Sequence, residues 1–289
     1  MDFWTIVNAA STGVLTGLVY GLAALGLSVI FGVMKIVNFA HGEIMVLGMY
    51  LALTLLRLAG LDPLLSIPIA AAALFVFGYL LQSLLIKRVA HLPDHMQFML
   101  LAALAVILVN ACLMVFGPDP QAPDLPYMLK SYAFGNVIID ATRIYAAIAA
   151  VAVTTLLYAF FRFTTTGTAI RACADNITGA RVVGLNVDRL YALTFGIGTA
   201  CLGAAGCIML LIFETQPAAG PSFTLLAFII VIIGGLGSMV GALVGGVLIG
   251  VSEALAALLF QPSLKSAFSF GLLILVLLLK PRGLLGKAA

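Results

Sequence analysis

From Ile6 to Val33 the chain runs without a single charged side chain, its only polar groups being Asn8, Tyr20 and a few serines and threonines. A helix of that length measures about 42 Å at 1.5 Å per residue, more than the ~30 Å hydrocarbon core of a bilayer requires. Further apolar runs follow at Ala40–Leu56, Leu64–Ile86, Met96–Phe116, Arg143–Phe161, Leu190–Phe213, Phe223–Ile233, Met239–Phe260 and Ala267–Leu279. In lipid each backbone N–H and C=O must be satisfied within the segment, so runs of this length can only be helices. With 63% apolar and 9% charged residues and a mean hydropathy of +1.22, a soluble domain is excluded, since about a quarter of its residues would be charged. The sequence therefore predicts an all-α polytopic membrane protein of about nine transmembrane helices, forming one domain over residues 1–289. Phe223–Ile233 is too short to cross alone, so it is expected to continue through "GGLGS" as a broken, glycine-rich helix.

Orientation follows from the excess of Lys and Arg in cytoplasmic loops. With the N-terminus outside and an odd number of crossings, Lys35, Lys87, Arg88, Arg162, Arg171, Arg181, Arg189, Lys280, Arg282 and Lys287 fall inside, against Arg57, Lys130, Arg143 and Lys265 outside. The start, with Asp2 and no early Lys or Arg, lacks a signal peptide's basic n-region, so the first helix is expected to be retained. Cys112, Cys173, Cys201 and Cys207 have no metal-site spacing and are expected to be free, buried thiols. Gly117–Asn136 carries four prolines and is expected to form an outer hairpin or lid.

The longest inner segment, residues 163–189, is polar where the other turns are short. Helix formers dominate Thr168–Val183. Gly184 suits a C′ stop, and Asn186 or Asp188 can cap the next helix. Ile170, Ala174 and Ile177 share a face, flanked by Arg171 and Asp175 at i,i+4. A face of Ala, Cys and Ile without Trp, Phe or Leu is poor material for wedging into lipid and better suited to a groove on a protein.

Three ordered motifs, "VNFAHGEIMVLGMY", "GTAIRACADNITGARVVGLNVDRLYALTF" and "IIGGLGSMVGALVGGVLIG", resemble the permease subunits of branched-chain amino-acid ABC transporters over nearly the whole chain. The resemblance implies a coupling helix within 163–189 (Thr168, Ile170, Arg171, Ala174, Asp175, Ile177, Arg181 and Gly184) that docks on an ATPase subunit. It further implies a second permease subunit, two ATPase subunits carrying ATP and Mg, a periplasmic binding protein, and residence in a bacterial inner membrane. "Ala180-Arg181-Val182-Val183-Gly184" matches only part of the usual importer pattern, whose Glu is absent. The chain has no G-x-x-x-x-G-K-[ST] phosphate loop, so it is expected to bind no nucleotide or other cofactor itself and to be no enzyme.

Asn38, His41 and Glu43 are expected at the inner end of the second span, as helix cap and dipole partner or as part of a gate. His91 and His95 read as solvated loop residues, and no H-E-x-x-H suggests zinc. Gly13, Gly17 and Gly21, then Gly237, Gly241 and Gly245, form small-xxx-small rows for close helix packing. Gly235 and Gly237 lie at the expected break and are pathway candidates. Glu253, midway along the eighth span, needs a partner or a function, and Glu214 and Gln216 lie at the outer mouth, where a delivered substrate would arrive. Gln82, Ser83 and Asn110 are read as interhelical hydrogen-bonding groups. The competing class is a secondary transporter driven by an ion gradient, with Glu253 and His41 as coupling groups.

Overall fold

The computed structural model describes residues 3–90, 92–260 and 265–286; Asp2, His91 and Lys287 lie outside them. The helices are α1 (Phe3–Met34), α2 (His41–Ala59), α3 (Pro63–Leu81), α4 (Lys87–Val89), α5 (Asp94–Phe116), α6 (Ala141–Phe163), α7 (Thr165–Asp175), α8 (Ile177–Val182), α9 (Val187–Met209), α10 (Gly220–Gly234), α11 (Met239–Leu259) and α12 (Lys265–Leu279). Among the described residues, eight helical segments are long and apolar enough to cross a membrane, and α12 is a shorter apolar helix of 15 residues. The protein is an all-α polytopic membrane protein.

The centre of the bundle is built from close backbone approaches. A Cβ added to Gly13 would stand 2.7 Å from the Gly250 carbonyl oxygen, and one on Gly17 2.6 Å from Val247 Cα, so α1 and α11 touch main chain to main chain. On its other flank α1 meets α9, where a Cβ on Gly26 would fall 2.7 Å from the Gly198 oxygen. Apolar tails in lipid give helices little hydrophobic reason to associate, and smooth glycine stripes compensate by maximising van der Waals contact.

The loops sort to two ends. Lys87 Nζ is 2.7 Å from Asp188 Oδ2, joining the turn after α3 to the start of α9. The tail returns to the same end, with Leu284 N–H donating to the Ile233 oxygen (2.8 Å) and Leu285 N–H to that of Gly234 (3.0 Å). The segment after α12 thus packs against the end of α10, where α10 turns into α11. At the opposite end, the proline-rich stretch leads into a β-hairpin, β1 (Ser131–Phe134) paired antiparallel with β2 (Val137–Asp140).

Tyr127 O–H donates to Asp62 Oδ2 (2.7 Å), while Asp62 Oδ1 accepts from Leu64 N–H (2.8 Å) and caps α3. Gln121 and Thr215 exchange backbone bonds of 2.9 and 2.8 Å, tying this region to the loop after α9.

Two expectations change. The seventh run gains length upstream, starting at Gly220 after a 3₁₀ turn at Pro217–Ala219. "GGLGS" is then a tight turn between α10 and α11, with Gly235 and Gly237 at φ 104 and 82, where a side chain would be strained. Ser83 Oγ and Asn110 Nδ2 bond to carbonyls of their own helices, Tyr79 and Val106, and not across helices. Gln82 instead opens a π-helical turn, Gln82–Ile86, that ends the third span.

Candidate functional site

At the basic end, residues 163–189 fold as two helices and not one. Thr164 caps α7 by accepting from Gly167 N–H (3.0 Å). Asn176 breaks the run by capping α8, its Oδ1 accepting from Gly179 N–H (2.8 Å). Gly184, at φ 82, closes α8 as C′, with Gly184 N–H donating to Arg181 and Leu185 N–H to Ala180, the paired bonds of a Schellman stop. Asn186, not Asp188, caps α9.

The shared face expected for Ile170, Ala174 and Ile177 is also divided. Ile170 and Cys173 are wholly buried against the bundle and Ala174 is half-buried, whereas Ile177 is exposed. Thr168, Arg171, Asp175, Arg181, Val182 and Val183 are exposed, and Arg171 donates to Thr168 Oγ1 (3.4 Å). The element therefore anchors through one face and presents valines with an arginine on the other. Burial pushes the Cys173 thiol above its usual range, with Arg181 opposing.

A second centre lies inside the bundle. Lys35 adopts φ 58 and ends α1, and no helix forms again until His41. His41 Nε2 lies 3.0 Å from the Ala23 oxygen; since a carbonyl only accepts, that nitrogen donates. From Ala23 to Met34 α1 covers ~16 Å, so the chain must climb back along α1, a distance six residues can span at ~3.3 Å each. Asn38, His41 and Glu43 thus stand at or just before the start of α2, the end of the second span where they were expected, and are buried within the bundle.

The cap differs. Asn38 Oδ1 accepts from Ala40 N–H (3.1 Å) and does not cap α2. Thr224 of α10 does so instead: its Oγ1 accepts from Gly42 N–H (2.8 Å) and donates to Glu43 Oε2 (3.1 Å). A Cβ on Gly220 would fall 2.7 Å from Glu43 Cγ, so the starts of α2 and α10 converge on one carboxylate, where both helix dipoles favour negative charge. Asn38 Nδ2 and His41 Nδ1 find no hydrogen-bond partner among the described residues. Neither Gly220 nor Thr224 stands out in the sequence, because their role exists only once α10 lies against α2.

Glu253 accepts from Tyr20 O–H (Oε2, 3.2 Å) and Ser269 O–H (Oε1, 3.0 Å). Arg143, expected on the outer side at the start of the fifth run, lies in the first turn of α6 and donates from Nη1 to Thr16 Oγ1 (2.8 Å). Glu214 and Gln216 are exposed at the hairpin end, while Gly235 and Gly237 occupy the opposite turn. His41 and Glu253 are held by different partners. All four cysteines are free and buried, and among the described residues no group of His, Cys, Asp and Glu is arranged for a metal ion.

A bundle with eight membrane-length helices among its described residues, and with buried polar groups at Glu43 and His41, is the framework of a multi-pass membrane protein, and comparison with known proteins gives its class as a transport permease. The chain belongs to the family described as branched-chain amino acid transport system / permease component, whose model matches residues 9–277. It is 33% identical to the high-affinity branched-chain amino acid transport system permease protein BraD of Pseudomonas aeruginosa, over 95% of this chain and 94% of that one. It is 32% identical to LivH of Escherichia coli K12, covering 99% and 97%, and 28% identical to the probable LivH permease of Methanocaldococcus jannaschii, covering 92% and 88%. No solved structure matches the chain. The family is one of transport permeases and not of enzymes, and the protein is a multi-pass protein of the inner membrane.

Proposed function

We propose that this chain is the membrane-spanning subunit of an ATP-driven importer of branched-chain or other small hydrophobic amino acids. The observation that carries this reading is the α7–α8 element, which is capped at both helix starts, anchored by Ile170 and Cys173, and directs Arg181, Val182 and Val183 outward. Exposed valines beside Arg181 fit a groove on an ATPase subunit at the cytoplasmic side. With that end inside, the basic loops obey the positive-inside bias, and the hairpin end with Glu214 and Gln216 faces a periplasmic binding protein that delivers substrate.

A second homologous permease subunit and two ATPase subunits complete the assembly, and ATP and Mg are held by those ATPases. Glu43, His41 and Asn38 form a polar constriction within the pathway. Helix starts converging inside a bundle also serve ion-driven transporters, so the energy source needs its own test. Mild-detergent purification of the tagged chain from its native membrane, with mass spectrometry of what accompanies it, supplies one. Copurification of an ATPase and a second permease is expected; a chain that comes alone and supports gradient-driven uptake refutes the reading.

A further inference from the structure

Between α1, α6, α11 and α12, towards the hairpin end, a cavity of about 440 Å³ opens beside Glu253, Arg143, Tyr20 and Phe213. That volume lies within the roughly 300–1,000 Å³ of small-molecule sites. Three charged side chains line it, Glu253 together with the cations Arg143 and Lys265; Arg143 is bonded to Thr16, and Glu253 to Tyr20 four residues further along α1. Four residues of helix separate those anchors by ~6 Å.

The charges have the required signs and spare capacity. Arg143 carries five N–H donors, of which the bonds to Thr16 and Asp140 use two. Each Glu253 oxygen accepts one named bond and has a lone pair left for an ammonium. The Asn8 side-chain oxygen, which also lines the cavity, is buried without a hydrogen-bond partner among the described residues. Around these groups Ile212, Phe213, Ala257 and Leu258 supply an apolar wall for an aliphatic side chain. Tyr20 and Phe213 stack with centroids 6.0 Å apart, fixing the hydroxyl that orients Glu253.

We infer that this cavity is a binding site for a zwitterionic aliphatic amino acid, Glu253 receiving its ammonium and Arg143 its carboxylate. The inference rests on the proposed function and adds a substrate site within this subunit, distinct from the centre at Glu43. Neither sign of charge alone confers the selectivity, because an amine satisfies only Glu253 and a carboxylic acid only the cations Arg143 and Lys265.

The test uses the assembled transporter in nanodiscs free of ethanolamine lipids. Ala257→Cys places one reactive thiol on the cavity wall, and the four native cysteines are buried. Leucine is expected to slow labelling by a thiosulfonate reagent, whereas 3-methylbutylamine and 4-methyl-2-oxopentanoate, each lacking one charge, should protect about ten- to hundredfold more weakly, the worth of one charge-assisted bond. Glu253→Gln should raise the leucine KM by a similar factor and narrow the gap between leucine and the 2-oxo acid.

Equal protection by all three compounds, or none by leucine while the transporter still imports it, overturns the site and leaves the proposed function standing. So does protection that appears only when ethanolamine lipids are restored, which would make the occupant a headgroup. Failure of the wild-type assembly to import leucine under ATP overturns the proposed function itself.

Discussion

Replacing Gly17 by Ala examines the packing on which the bundle depends. The new Cβ would lie 2.6 Å from Val247 Cα and 2.7 Å from the Gly246 oxygen, both of them backbone atoms that cannot rotate away. Carbon contacts are comfortable at 3.5–4.0 Å, so α1 and α11 must part by about 1 Å, and a gap of that size forfeits a quarter to a half of each dispersion contact along the seam. Overpacking of this kind costs about 1–3 kcal/mol. Ala gains about 1 kcal/mol of helix propensity over Gly, too little to offset the upper part of that range.

Gly271 of α12 is the control, since a Cβ there meets nothing within 4 Å and only the propensity gain remains. The assay is thermal unfolding in detergent with a thiol-reactive dye, for which the buried Cys112, Cys173, Cys201 and Cys207 are ready reporters. At roughly 2–4 °C per kcal/mol for a chain of this size, Gly17→Ala should lower the midpoint by several degrees, while Gly271→Ala leaves it unchanged or raises it. If Gly17→Ala matches or exceeds the wild type, the helices are not in backbone contact and the packing account is wrong.

Thr224→Val keeps the shape but removes the hydroxyl shared by Gly42 and Glu43; leaving buried groups unpaired should cost about 1–3 kcal/mol in the same unfolding assay, with Thr224→Ser restoring most of it. Val182→Asp together with Val183→Asp, at 81% and 74% exposed positions, should abolish association with the ATPase in pull-downs while the chain still inserts at wild-type levels. Because burial raises the Cys173 thiol pKa in the folded state, its contribution is fully present below the ordinary thiol range of about 8.5 and is lost as pH rises through the raised value; denaturation between pH 7.5 and 9.5 should show a fall in stability that Cys173→Ala lessens.

Fold class and the approximate number of helices were legible because lipid forces both into composition and run length. The burial of the start of α2 was not legible, for a related reason. "NFAHGE" carries the polar residues that usually mark a membrane edge, and the partner that makes them tolerable inside, Thr224, lies 182 residues from Gly42. The excess length of the first apolar run was the available hint, since α1 continues well past the level of His41. Asn176 could have been read as a helix start, being a favoured N-cap residue, but continuous helix formers on either side concealed the break. Arg143 and Tyr20 escaped notice because the charge pattern fixes which end a residue occupies and says nothing of the helix it will face.

The most direct test of the account is leucine uptake by proteoliposomes containing the full assembly and binding protein, with ATP supplied at the ATPase face and ion gradients collapsed by ionophores. Uptake that requires ATP, persists without gradients and is lost with the Val182→Asp, Val183→Asp variant is the predicted result. Uptake that proceeds without ATP and stops when the gradients collapse would contradict it.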